Sequence, residues 1–254
     1  MIRVLHISDT HLSAEDQGAL TGWHAVVRYI RDTRPDLVIH TGDIVRNDPF
    51  DAEDRNFAAR ELAGLGVEIL AIPGNHDIGD GPPNHMAPDA GLIALFCEAY
   101  GGDHWVRQIN DWYLIGVNAL LFGIGGDREA AHWAWLEDAL SAGRRGAQLA
   151  VFVHKPPFLL TPDEALSSSA VMPLASRARF WDLIRRSGVK LVACGHRHEY
   201  RALQRDGIQV VWGPTTSNRL DERSAPLVPL CLPGVVEHAF VGSTAMHRVV
   251  PLAL

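Results

Sequence analysis

Apolar positions along this chain come in short runs, and several runs end abruptly on polar residues. Ile2-Arg3-Val4-Leu5-His6-Ile7, Leu37-Val38-Ile39, Val67-Glu68-Ile69-Leu70, Leu149-Ala150-Val151-Phe152-Val153 and Val189-Lys190-Leu191-Val192-Ala193 read as buried strands, being short and rich in Val, Ile and Leu. Between the first two, residues 18–33 carry Leu20, Trp23, Val26, Val27 and Ile30 at helical spacing, and Pro35-Asp36 ends the helix. Residues 51–64 repeat the arrangement, with Asp51 as N-cap, Phe57, Leu62 and Leu65 facing inward, and Gly64 and Gly66 as the stop. Strand and helix thus alternate over the first 75 residues, a pattern that favours parallel strands joined by right-handed crossovers. Further on, residues 78–88 read as a Gly/Pro-rich loop, and 89–100, 128–143 and 175–187 as helices. Hairpins are predicted around Asn110-Asp111 and Asp206-Gly207. The last 40 residues, apolar and with four prolines, suggest terminal strands and loops. There is no internal repeat and no linker, so one domain over residues 1–254 is expected. Its class is α/β: a sandwich of two sheets with helices outside and the polar clusters along one edge.

Composition narrows the partners. With 254 residues, 47% hydrophobic, the chain is long enough for a large core. A net charge of −7 and the lack of a basic stripe argue against nucleic acid or an anionic membrane as partner. Cys97, Cys194 and Cys231 lie far apart in apolar surroundings and read as free thiols. No apolar run reaches the roughly 18 residues of a membrane span, and the first strand starts at once, with no leader; the expectation is a cytoplasmic protein.

The polar residues that end the runs carry the chemistry. They are Asp9-Thr10-His11, Gly42-Asp43, Gly74-Asn75-His76-Asp77, His154 and Gly195-His196-Arg197-His198. Carboxylates, an amide and imidazoles together suit Mn, Fe, Zn, Co or Ni rather than calcium. A strand-end carboxylate can bridge two ions about 3.5–4 Å apart, as in two-metal hydrolytic sites. Asp43, in the tight turn between ligand-bearing strands, is the natural bridge. Asp9 and His11 stand two apart, as do His196 and His198, so strand alternation would aim each pair to one side.

These blocks resemble the calcineurin-like metallophosphoesterase superfamily, whose pattern runs D-x-H, G-D, G-N-H-D/E, H, G-H-x-H. All five occur here in order between residues 9 and 198. The resemblance implies a four-layer α/β/β/α sandwich of two mixed sheets and a pair of divalent metal ions, manganese and iron among the candidates. Asp9, His11 and His198 would hold one ion and Asn75, His154 and His196 the other, with Asp43 between. His76 would serve the leaving group, with Asp77 orienting it through a hydrogen bond. It further implies a hydrolase that cleaves a phosphodiester, or a phosphomonoester, of a small molecule or nucleotide by attack of a metal-bridging hydroxide.

Departures choose the branch. Protein serine/threonine phosphatases of the superfamily carry G-N-H-E and an arginine four residues past the bridging aspartate; here Asp77 and Asn47 stand there, with Arg46 one place early. The segments His6–Leu12, Thr41–Ile44 and His154-Lys155-Pro156-Pro157 are similar to bacterial class III cyclic nucleotide phosphodiesterases and glycerophosphodiesterases. Lys155 stands where that group often has histidine and is expected to be solvated. Arg46 and Asn47 are the candidate substrate contacts, and His6 and His40 read as structural histidines. The alternatives are a catalytically silent scaffold, a phosphoprotein phosphatase or a nuclease on the same fold. A homo-oligomer is an open option.

Overall fold

The computed structural model describes residues 1–46, 50–80, 87–217 and 232–254. Three strands, β1 (Ile2–Ile7), β2 (Leu37–His40) and β3 (Ile69–Ala71), alternate with helices α1 (Gln17–Thr33) and α2 (Ala52–Ala63). After them come α3 (Asn75–Ile78), α4 (Ala90–Tyr100), the hairpin β4 (Trp105–Ile109) and β5 (Trp112–Val117), and α5 (Gly126–Gly143). The chain continues through β6 (Gln148–Val153), α6 (Leu174–Ser187), β7 (Leu191–Cys194), the hairpin β8 (Arg201–Arg205) and β9 (Ile208–Trp212), and the last pair, β10 (Gly234–Val241) and β11 (Thr244–Pro251).

Two mixed sheets result, ordered β11-β10-β1-β2-β3 and β4-β5-β6-β7-β9-β8. Alternation within the strands builds three cores at once. In β6, Ala150 and Phe152 face the other sheet with Val4, Ile39, Ala193 and Val236, while Leu149, Val151 and Val153 pack with Trp133, Leu136, Phe180 and Ile184 of α5 and α6. In β1 and β2, Leu5, Ile7 and Val38 turn the other way, onto Trp23, Val26 and Ile30 of α1 and Leu62 of α2. Strands covered on both faces read as unbroken apolar runs. The layering is therefore α/β/β/α, with the parallel strands β1, β2, β3, β6 and β7 ending along one edge.

The helices α1, α2 and α4 start where an aspartate offers its carboxylate to free amides. Asp16 accepts from Gly18 and Ala19, Asp51 from Glu53 and Asp54, and Asp89 from Gly91 and Leu92. The expected Asp206-Gly207 turn has both residues at positive φ, 52° and 77°, as a two-residue hairpin requires. Trp133 is buried in the helix–sheet core and Trp135 only partly, as their spacing on one helix implies. Cys97 and Cys194 are free thiols, whereas Cys231 and His85 lie outside the described residues. Among the described residues no helix is long and apolar enough to cross a membrane.

Candidate metal centre

Strand alternation is not what aims the ligands. Asp9, His11, Asp43, His196 and His198 all sit at positive φ, between 46° and 69°, a region that non-glycine residues rarely occupy. Each strand thus breaks into a left-handed kink as it leaves the sheet. The kinked backbone is tied down: Asp9 N–H donates to Gly42 O at 3.0 Å, His11 N–H to Asp43 O at 3.1 Å and Leu12 N–H to Ile44 O at 2.7 Å. The loops meet closely enough to exclude side chains. A Cβ on Gly74 would lie 2.2 Å from Asp43 N, and one on Gly195 would lie 1.8 Å from Ser8 Oγ.

Two candidate ligand sets converge there. Asp9, His11, Asp43 and His198 place one donor atom each within 4.8 Å of one another, as do Asp43, His154 and His196. Asp43 belongs to both. In the first set, His11 Nε2 and His198 Nε2 stand 3.1 Å apart, and Asp9 Oδ1 lies 3.3 Å from His198 Nε2. In the second, His154 Nε2 lies 3.1 Å from Asn75 Oδ1, 3.2 Å from His196 Nδ1 and 3.4 Å from Asp43 Oδ1.

Surrounding hydrogen bonds decide which atom of each ligand faces inward. His154 Nδ1–H donates to Thr41 O at 2.7 Å, leaving Nε2 as the nitrogen that faces inward. His196 Nε2–H donates to Ser169 O at 2.9 Å, leaving Nδ1 inward. Asp9 Oδ2 accepts from Ser8 Oγ–H at 2.5 Å and from His196 N–H at 2.9 Å, while buried Oδ1 has no well-formed hydrogen bond. Acceptor atoms packed at these distances repel unless a cation lies among them. The donor set, two carboxylates, one amide and four imidazoles, fits a pair of transition-metal ions.

Charge states agree. Burial opposes ionisation of Asp9 and Asp43, but the neighbouring imidazoles, His198 for Asp9 and His154 for Asp43, outweigh it and hold both carboxyls well below their usual range. Burial pushes the pKa of His11 down to about 4 and that of His196 to about 3, so both are neutral at neutral pH, the form that can take a metal ion. Burial also disfavours charge on His154, but Asp43 and then Asp9 overcome it and raise its pKa to about 9. The pocket therefore attracts positive charge.

The His76 ring packs edge-on against the His11 ring, centroids 4.9 Å apart, at the half-buried rim. Asp77 does not orient that ring. Its carboxylate accepts instead from the backbone N–H groups of Ile44 (3.0 Å), Val45 (3.1 Å) and Gly74 (2.7 Å), stitching the β2 loop to the β3 loop. Burial, then the Asp43 charge, raises its pKa to about 7 despite those bonds. Arg46 pairs with Asp16 at 3.1 Å, and Asn47 lies outside the described residues. Lys155 is not solvated: it is 4% exposed and its ammonium donates to Asp80. His6 and His40 are buried and bond Thr41 and Thr10 at 2.9 and 3.0 Å, in keeping with structural roles. Sequence reasoning missed Ser8, Thr41 and Ser169, which fix ligand orientation. Ser8, beside Asp9, is the one that adjacency to a ligand could have signalled.

The sequence profile described as Calcineurin-like phosphoesterase matches residues 2–200. The chain belongs to that family. It is accordingly a metal-dependent phosphoester hydrolase by family, and its cyclic nucleotide phosphodiesterase resemblance is matched by a relative. The "3',5'-cyclic adenosine monophosphate phosphodiesterase CpdA" of Vibrio vulnificus is 29% identical over 233 residues, covering 88% of this chain and 79% of that protein. The "Serine/threonine-protein phosphatase CPPED1" of Danio rerio is 28% identical over 188 residues, covering 70% of this chain and 59% of that one. Among solved structures, a dimetal phosphatase from Danio rerio superposes with a TM-score of 0.65 over 98% of this chain and 95% of the other, at 13% identity, a likeness of fold.

Proposed function

We propose that this chain is a single-domain, cytoplasmic phosphodiesterase for a small-molecule or nucleotide ester. Its metal ligands in this reading are Asp9, His11, Asp43 and His198 for one ion and Asp43, Asn75, His154 and His196 for the other. The observation that supports it is the shared Asp43, which belongs to both groups of residues that could hold a metal ion. When bound, the two ions supply a water acidic enough to attack phosphorus and positive charge for the phosphoryl oxygens. The chain's own part is to hold that geometry. Thr41 O and Ser169 O fix the tautomers of His154 and His196, and Ser8 fixes the rotation of Asp9. His76, at the rim beside His11, is placed to donate a proton to the departing alkoxide. Net charge of −7 leaves the centre as the local attraction for an anionic substrate.

The test is metal-depleted protein reconstituted with Mn or Fe and assayed on bis-p-nitrophenyl phosphate. A panel of cyclic nucleotides, glycerophosphodiesters and phosphomonoesters then ranks the natural class. Protein that binds two ions and hydrolyses none of these sinks the proposal. The name of the zebrafish relative supports a second reading, phosphoprotein hydrolysis. A phosphopeptide turned over faster than every diester would establish it. Asp43→Ala separates both from a silent scaffold, since an enzyme loses turnover whereas a scaffold keeps its partner.

A further inference from the structure

One buried charged pair stands just outside the ligand sets and has no part in the chemistry above. Lys155 follows His154 directly, is 4% exposed, and donates its ammonium to Asp80 Oδ1. Asp80, 8% exposed, sits five residues past Asn75, just beyond the helix that carries Asn75 and His76. The pair thus joins the loop after β6 to the loop after β3. The second ligand set is divided between the same two loops: His154 on one, Asn75 on the other, with their donor atoms 3.1 Å apart.

Asn75 needs such help. A neutral amide oxygen is a weaker metal ligand than a carboxylate, so its position must be imposed by the scaffold rather than drawn in by the ion. The four-residue helix α3 is too short to hold itself in place. Removing two charges from water is unfavourable, and a buried pair is seldom retained for stability alone; fixing one geometry is the better-attested use. The link spans two loops whose residues stand 75 positions apart in sequence. An imidazole at position 155 would fall short of the reach of lysine.

We infer that Lys155 and Asp80 are positioning residues that clamp Asn75 against His154 and so complete the site of the second metal ion. This rests on the ligand assignment proposed above. The test reads metal binding directly, by calorimetry and electron paramagnetic resonance with Mn(II) on the metal-depleted full-length chain. In Lys155→Met the affinity of the second ion is expected to fall about 10- to 100-fold, with the first ion changed less than about threefold. The spectrum at two equivalents should lose its spin-coupled component. The double variant Lys155→Met/Asp80→Leu removes the pair without stranding a charge, which keeps the protein folded where the single variant fails. Weak second-ion binding should persist in it. Wild-type-like binding in the double variant would mean that the stray charge alone mattered and would overturn the clamp, as would equal weakening at both ions. Wild-type protein that takes up one ion only would instead undo the ligand assignment itself. Two bound ions with no hydrolysis would undo the proposed function and leave the clamp standing.

Discussion

The two oxygens of Asp9 are treated differently, and the difference extends well behind the ligand. Ser8 donates to Oδ2, Thr41 donates to Ser8 at 2.8 Å, and His6 Nε2 lies 2.9 Å from Thr41 Oγ1. Because a carboxylate only accepts, each hydroxyl in turn must donate toward it, and His6 must carry its proton on Nε2. Ser8→Ala should therefore free the carboxylate to rotate and weaken metal binding by about 10- to 100-fold without unfolding the protein; calorimetric titration with Mn(II) would check it. His76→Ala should lower kcat by about 10²- to 10⁴-fold on esters with poor leaving groups and far less on p-nitrophenyl esters. A loss independent of leaving group would remove His76 from proton donation. The candidate ligands are legible in the sequence at this scale, since residue type and order pick out the same groups that the fold gathers. The role of Asp77 is not, because an acid beside a histidine can as well serve backbone amides one loop away, and here it does.

At the scale of elements, strands and helices were legible because the core is built from alternation that survives in the sequence. Ala150 and Phe152 face one layer while Val151 and Val153 face another, and Asp51 marks its helix by chemistry alone. Asp89→Ala should cost about 1 kcal/mol in urea denaturation by releasing the amides of Gly91 and Leu92, with metal affinity unchanged. What alternation could not give is the exit of each strand. Five ligands adopt positive φ after the last paired residue, a geometry set by contact between loops distant in sequence. Gly195 is where that contact is tightest. Gly195→Ala should lose about 1–3 kcal/mol through overpacking against Ser8 and weaken metal binding as well, whereas Asp89→Ala separates the two effects. The burial of Lys155 was illegible for the same reason, its partner being 75 positions away.

For the molecule as a whole, two levers act on stability. Metal binds the fold and not the open chain, so chelation should lower the midpoint of thermal unfolding; an ion at 100 times its dissociation constant contributes about 2.7 kcal/mol. Asp43→Ala should abolish that shift in differential scanning calorimetry. The second lever is pH, acting through His132, which is 4% exposed and belongs to neither candidate ligand set. Burial, then the neighbouring His104, lowers its pKa to about 4. An unfolded histidine takes a proton near pH 6.5, roughly, which the fold refuses until about pH 4. Stability should therefore be full above that range and fall as pH drops through it, by about 3 kcal/mol at most. His132→Leu should flatten this acid limb in denaturation curves at pH 7 and 4.5; an unchanged limb would assign the loss to other groups.

β1, the strand that leads into Asp9, is paired on one side with β2 and on the other with β10, whose register runs from Ile2↔Phe240 to His6↔Val236. The strand that leads into this candidate ligand therefore waits on a partner synthesised more than 200 positions after it. Until then one edge of β1 offers its amides and carbonyls to any passing strand. Chains released before residue 234 should accumulate as aggregates rather than as metal-free protein, and the centre should mature only once β10 has been synthesised.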